Sequence, residues 1–584
     1  MWSIMTLPMM LSIWLRGSYP QPSPWAPAAP GAAGPGGTGR GRGGARGTRT
    51  YQGTPTAKPA VIARATARAE ALSDWLRHHD PHAWLVTAAL TLLAAATRLP
   101  LLGRIRRLVF DETYYVKDAF SLNANGYESK WEVPSTWPSP AEGEDAARDA
   151  INQAFAQGDF SALVSDPAYV VHPQTGKWLI ALGMDVFGNG PFGWRIAAAV
   201  AGIISVTLMC RLAWHLFHRH SAVAVAGLVL ALDGVSIALS RIGLLDVFLT
   251  VFVVAAILCV VLDRRSYRPK WLRLLDSFDP SSNGLGPNAG YRPWLLAAGV
   301  MCGLATSVKW SGLYVLATIG IFVVLDDIVV RRGRVKHWLL SGIVVEGIPA
   351  FFYLVPTAAL VYAVSWWSWF THPGSWGRKS GTGFVATIND WLAYHQQVLS
   401  FHSSLSSPHS YMSSAPQWLI QWRPTSVAFE SQATGCRSGD CVRAILALGN
   451  PALWWLAALG IVFAAAVLAR RALVPGEGYP LAVVALGYAG TYLPWFLYLH
   501  RTTFNFYTVV LAPFVALLFT WCTMVAWRLA GEVGSPGLRL AVRLVVVATI
   551  LLVVACFVFF FPIWSGMLID RTHWSWRMWL PSWV

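Results

Sequence analysis

About eleven apolar stretches, each near the length a helix needs to cross a bilayer, do most to fix what this chain can become. They are 83–102, 192–214, 221–240, 243–263, 294–312, 313–330, 338–362, 451–469, 479–499, 506–527 and 541–561. A helix covers the hydrocarbon core with about 20 apolar residues. Inside lipid every backbone group must find an internal partner, so helices are expected rather than an open sheet. Composition agrees: 55% of residues are hydrophobic and only 13% charged, where soluble domains run near a quarter charged. The fold class expected is an all-α polytopic membrane protein.

The formal charge of +16 invites a nucleic-acid reading, but the basic residues sit where membrane orientation puts them. Lys and Arg mark cytoplasmic loops. Basic clusters occur at 264–273, 331–336, Arg470–Arg471 and from Arg528 to Arg543. All four fall on one side if the N-terminus is cytoplasmic, so no nucleic-acid partner is expected. The 103–190 loop, the 363–450 loop and the C-terminus then face outward. Arg104, Arg106 and Arg107 oppose this locally and are read as interfacial. Residues 1–80 form a basic tail, rich in Pro and Gly over 17–60 and expected to be largely disordered. Residues 81–580 hold the membrane domain.

The seven Cys show no zinc spacing. Cys436 and Cys441 share an outward loop, where a disulfide can persist. The 363–450 loop is dense in Trp and His, which suits a cap at the headgroup level.

Candidate chemistry collects on the outward side. Asp111–Glu112 follow the first apolar stretch. Beyond them come His172 and Lys177 late in the first loop, Arg195 entering the second span, Arg241 and Asp246 in a tight turn, Lys309 within an apolar run, and Arg501 after Leu499–His500. Cations at membrane depth are costly and usually face a polar cavity. Several on one face point to a bound anion, with a lipid phosphate as the obvious candidate. Each also has a plainer reading: a solvated acidic pair, a His-Pro turn, snorkelling arginines, a counter-ion role for Asp246, and packing partners for Asp233 and Glu346.

The strings Phe110-Asp111-Glu112-Thr-Tyr-Tyr, His172-Pro-Gln-Thr-Gly-Lys177, Gly193-Trp194-Arg195, Ser240-Arg241-Ile-Gly-Leu-Leu-Asp246 and Ser307-Val-Lys309-Trp310 occur in order. With the 394–424 stretch they resemble the protein O-mannosyltransferases, in the short actinobacterial form, over roughly residues 83–580. The resemblance implies a C-type glycosyltransferase (GT-C) fold with two large exoplasmic loops in the plasma membrane. It implies transfer of mannose, with inversion, from polyprenyl-phosphate-mannose to Ser or Thr hydroxyls of secreted polypeptides. Asp111 is then the base and Glu112 orients the acceptor or holds a neighbouring loop, with the exchange of these roles left open. Arg195, Arg241, Lys309 and Arg501, ranked in that order, would hold the lipid phosphate, and His172 and Lys177 would shape the acceptor side. No metal or other cofactor is expected. Membrane lipid is a partner, and a link to the protein export machinery is compatible with secreted acceptors. The readings set against this one are a same-fold transferase acting on a lipid or polysaccharide, and a transporter. Binding groups on one face, rather than at the midplane of paired repeats, favour surface chemistry.

Overall fold

A computed structural model describes residues 80–584 except 138–142, 380, 382, 434 and 437–438. The expected tail therefore lies almost wholly outside the described residues. Helix α1 is Pro81–Arg98, opened by Asp80, whose carboxylate accepts from the backbone N–H of His82 and Ala83. The first loop carries α2 (Glu112–Asn125), β1 (Ser129–Trp131), α3 (Glu144–Gln157), β2 (Leu163–Pro167) and α4 (Thr175–Phe187). The bundle continues with α5 (Pro191–Phe217), α6 (His220–Ala231), α7 (Gly234–Leu239), α8 (Asp246–Asp276), α9 (Pro293–Val308) and α10 (Gly312–Arg331). Next comes α11 (Trp338–Ser365), with a π-helical stretch at Gly342–Gly347. The second loop holds α12 (Phe384–Ser404) and the hairpin β3 (Thr425–Ala433) and β4 (Cys441–Ala447). Helices α13 (Pro451–Ala469), α14 (Gly478–Thr491), α15 (Ala512–Glu532) and α16 (Pro536–Ser565) complete the bundle, and β5 (Leu568–Asp570) joins the sheet in the order β3-β4-β5.

Eight helices among the described residues are long and apolar enough to span a bilayer. The expected spans near 83–102, 221–240 and 294–312 fall on the shorter α1, α6–α7 and α9, so the count of eleven is not confirmed. Expected span 221–240 is broken: Asp233 caps α7 by accepting from Ser236 N, and also takes hydrogen bonds from Asn450 N and Trp454 Nε1. Two later expected spans also lose regular helix, to 3-10 turns at Leu493–Tyr498 and Asn505–Val510. Irregular backbone at membrane depth survives only inside protein or beside a cavity. Both 3-10 turns border the cavity described below.

The two loops dock on each other. Trp366, Trp369, Tyr394 and Val398 of the second loop form a buried cluster with Tyr169 and Val170 of the first and with Trp310. The Tyr394 hydroxyl donates to Val170 O (2.9 Å), and His402 Nε2 lies 3.0 Å from Val171 O. This clamp fixes His172 in place. Cys436 and Cys441 form a disulfide near the tip of the hairpin.

Candidate active site

The site grows from one strained residue. Phe110 adopts φ +50°, a left-handed conformation that costs a side-chain-bearing residue roughly 1–3 kcal/mol and tends to persist at functional sites. Its ring packs on Phe506 (5.3 Å) and Phe504 (6.4 Å). The turn delivers Asp111 to the N-cap of α2 and Glu112 to its first helical position. Successive residues at a helix start diverge around the axis, so the two carboxylates take different environments.

Glu112 is fully buried and saturated. It accepts from Arg195 Nε and Nη2 (both 2.7 Å), Gly243 N (2.8 Å) and Val109 N (2.9 Å). A Cβ on residue 243 would press on Trp194 O and Val116 at 3.0 Å, so the absence of a side chain eases this close approach. Arg195 is spent as well: its remaining N–H groups donate to the carbonyls of Leu102, Ile105 and Arg107. Arg241 donates through Nη1 and Nη2 to the carbonyls of Thr97, Arg98, Pro100 and Ser565. Three of these lie at the C-terminal end of α1, where orphan carbonyls and the helix dipole attract a cation. Lys177 is buried between Glu128 (2.9 Å) and Asp118 (3.1 Å). Here the structure departs from expectation. Arg195 and Lys177 have their donors directed at the protein itself, Arg241 spends Nη1 and Nη2 on carbonyls while its Nε is buried without a partner among the described residues, and Glu112 has no lone pair left for an acceptor.

The other expected residues meet elsewhere. A cavity of about 310 Å³ is lined by His172, Asp246, Lys309, His402, Arg501 and Tyr507, and it continues between Leu249, Val253, Val315 and Val510. Lys309 leaves the end of α9 in an extended conformation. Its Nζ sits 2.8 Å from Asp246 Oδ2 and 5.4 Å from the centre of the Tyr507 ring. Arg501 donates from Nε to His402 O (3.0 Å), and its Nη2 lies 3.3 Å from His402 Nδ1. Its Nη1 is buried with no hydrogen-bond partner among the described residues. A buried orphan donor is costly, and the Arg501 side chain lines the cavity beside Lys309.

Asp111 is half-buried and lies within electrostatic reach of Lys309 and Asp246. Burial pushes its carboxyl up to about 6; Lys309 opposes the rise, Asp246 adds to it, and a hydrogen bond from Tyr115 opposes it again. Tyr115 stands one helical turn after Asp111, and its ring lies 6.0 Å from that of His172. His172 stacks on His402 at 5.4 Å. Burial, reinforced by Lys309, holds His172 well below the usual imidazole range, so it is neutral at pH 7. Tyr115 escaped sequence reasoning, although its i, i+4 spacing from Asp111 places the two on one helix face.

Residues 387–583 match the family described as the C-terminal four TMM region of protein-O-mannosyltransferase. Residues 171–277 and 288–370 each match a family described as dolichyl-phosphate-mannose-protein mannosyltransferase. The chain is 33% identical over 524 residues to the polyprenol-phosphate-mannose–protein mannosyltransferase of Corynebacterium glutamicum, covering 86% of this chain and 94% of the relative. It is 30% identical to the Mycobacterium tuberculosis enzyme of the same name, covering 86% and 92%. The solved structure of the S. cerevisiae protein O-mannosyltransferase Pmt1-Pmt2 complex bound to the sugar donor matches with a TM-score of 0.63. That match has 15% identity and covers 86% of this chain and 92% of the yeast chain. At that identity the likeness shows the fold, which is the GT-C architecture.

Proposed function

Since the chain belongs to the protein O-mannosyltransferase family, we propose that its cavity is where mannose passes from polyprenyl-phosphate-mannose to a Ser or Thr hydroxyl. The observation that carries this reading is the cavity lined by Lys309, Arg501 and His172, with Asp111 within electrostatic reach of Lys309.

Asp111 takes the hydroxyl proton as the acceptor oxygen attacks the anomeric carbon. General-base assistance of this kind is worth about 10²–10⁴-fold. The bond from that carbon to the phosphate oxygen breaks, and the lipid phosphate leaves with the electron pair. A single displacement inverts the anomeric centre and needs no sugar–enzyme bond. Charge on the departing phosphate calls for preorganised cations in a water-poor site. Lys309, steadied by Asp246, and Arg501, steadied by His402, supply them, and the apolar side of the cavity receives the start of the polyprenyl chain. With Lys309 paired to Asp246 at 2.8 Å and within electrostatic reach of Asp111, the reaction is assigned no metal. Glu112 with Arg195, and Arg241 and Lys177, act as positioning residues that hold Asp111 and the loops. His172, neutral and stacked, shapes the acceptor side.

The catalytic face is placed on the outer side of the plasma membrane with a cytoplasmic N-terminus, supported by the basic loops at 264–273, 331–336, Arg470–Arg471 and Arg528 to Arg543. Acceptor chains then arrive by export, which puts the export machinery upstream of this site. The test is direct: full-length protein in lipid, polyprenyl-phosphate-mannose and an unfolded Thr-rich peptide, read by mass. One added hexose per modified hydroxyl is expected. Hexose appearing only on lipid would overturn the proposal.

A further inference from the structure

A second cavity, outside the reaction site, has a position and a chemistry that the transfer step does not use. It measures about 160 Å³ and is lined by Tyr411, Phe429, Leu446, Trp574, Met578 and Trp583 among others, none of them from a membrane-spanning helix. Its walls come from the second loop, the β3–β4 hairpin and the segment after β5. Phe429 and Trp574 face each other with ring centres 5.4 Å apart. Phe429 remains 42% exposed, so the opening is accessible. The floor is held firmly: Arg423 lies 5.0 Å over the Tyr411 ring and donates to Ser410 O and Ser582 O.

Direct contacts link this cavity to the turn that carries Asp111. Arg107, in the segment that ends at Asp111, donates from Nη2 to Phe429 O (3.2 Å), while its own carbonyl accepts from Arg195. A run of rings links the two places: Phe110 to Phe504 (6.4 Å), Phe504 to His409 (5.0 Å) and His409 to Tyr411 (6.1 Å). About five residues of extended chain cover such a path. The floor beneath it is also ordered, since Met412 pairs with Phe504 and Ser413 N donates to Thr503 O (2.8 Å). β3 is an edge strand, the kind of surface along which extended peptides lie.

We propose that this cavity is an acceptor subsite that takes one bulky apolar side chain of the polypeptide, about four to six residues from the hydroxyl being mannosylated. The inference rests on the transferase reading above. A lipid chain is the poorer occupant, because the spanning helices already offer the donor an apolar wall at Leu249, Val253 and Val315, whereas the second cavity has none of their residues. Ring walls with a volume near that of a single side chain select by shape and burial, so the site would favour Leu or Phe over Ala without dictating a motif.

The test uses the full chain in lipid with polyprenyl-phosphate-mannose and Ala-rich peptides carrying one Thr, with a single Leu walked along both sides of it. Burial of a Leu side chain predicts a KM about tenfold lower at one or two adjacent positions than for the all-Ala host. Phe429→Ala and Trp574→Ala should collapse that ratio toward one, and Ser426→Phe, at a β3 position that also lines the cavity, fills it rather than emptying it and should do the same. The ratio is the readout because a damaged enzyme slows on both peptides alike. A flat Leu walk, or a preference that survives all three substitutions, overturns the subsite while leaving the transferase reading intact. Absence of transfer to every peptide overturns both.

Discussion

Asp111→Asn should separate catalysis from stability in opposite directions. In the folded protein burial lifts the Asp111 carboxyl to about 6 from an ordinary 3.8. A shift of about two units corresponds to about 3 kcal/mol between protonation states. The sign follows from proton counting. Between pH 3.8 and 6 the folded state holds the proton that the unfolded state releases, so rising pH favours unfolding. Above about pH 6 the cost is fully present; below 3.8 both states are protonated and it vanishes. Asn carries no charge to bury, so the variant should melt higher than the parent at pH 7.5. The gap should shrink as pH falls from 6 toward 4. Over the same range the parent's kcat/KM should fall as Asp111 takes up a proton, with an acid limb near 6. The variant should lose about 10²–10⁴-fold in kcat, and its KM for the donor should change little because Lys309 and Arg501 remain. Melting in lipid nanodiscs by intrinsic Trp fluorescence, beside a mass-read transfer assay, measures both arms. Turnover within tenfold of the parent would remove Asp111 as base. Lost turnover with an unchanged or lowered melting point at pH 7.5 would show that Asp111 is not the destabilised carboxylate the geometry describes.

Glu112→Gln should leave Arg195 buried without its counter-charge, a loss of about 3–5 kcal/mol, seen as a lower melting point and falling expression. A variant that melts like the parent would refute the structural role. Arg501→Ala should raise the donor KM about 10- to 100-fold, the range expected for one charge-assisted contact, with little change in melting. Arg241→Ala should do the reverse, lowering melting while surviving protein keeps its donor KM, and a shifted donor KM there would restore Arg241 as a phosphate ligand.

The fold class was legible because about 20 apolar residues in a row leave few alternatives. The breaks were not, because the breaking residues sit inside windows that stay apolar on average. Asp233 interrupts one expected span without spoiling its hydropathy, and its charge is met by groups from remote segments, Asn450 and Trp454. Pro494 was the readable hint that the span at 479–499 would not finish as an α-helix. Among the site residues, the acidic pair could be found but not divided, since adjacency in sequence says nothing of which carboxylate meets Arg195. Insertion cost also ranks Arg195, Arg241, Lys309 and Arg501 alike, because a guanidinium that solvates helix-end carbonyls is as buried as one aimed at a ligand. Position in three dimensions parts them: Lys309 and Arg501 line the cavity, whereas Arg195 and Arg241 reach Glu112 and backbone carbonyls outside it.

The charges at the site also couple the proton to the phosphate. Asp246 balances Lys309 at 2.8 Å, and among the described residues Arg501 has no carboxylate partner, its contacts being His402 and the Trp495 ring. With Asp111 ionised it and the three charged groups that line the cavity, Asp246, Lys309 and Arg501, cancel, and the donor, a phosphodiester, adds one negative charge. When Asp111 takes the acceptor proton the protein groups sum to +1, at the stage when the departing lipid phosphate gains its second negative charge. Each change favours the other, because a nearby anion raises the affinity of a half-buried carboxyl for its proton and the loss of that carboxylate's charge strengthens the hold of Lys309 and Arg501 on the phosphate. A carboxyl already lifted to about 6 is suited to this exchange: it is ionised at pH 7 and stronger as a base than an exposed aspartate.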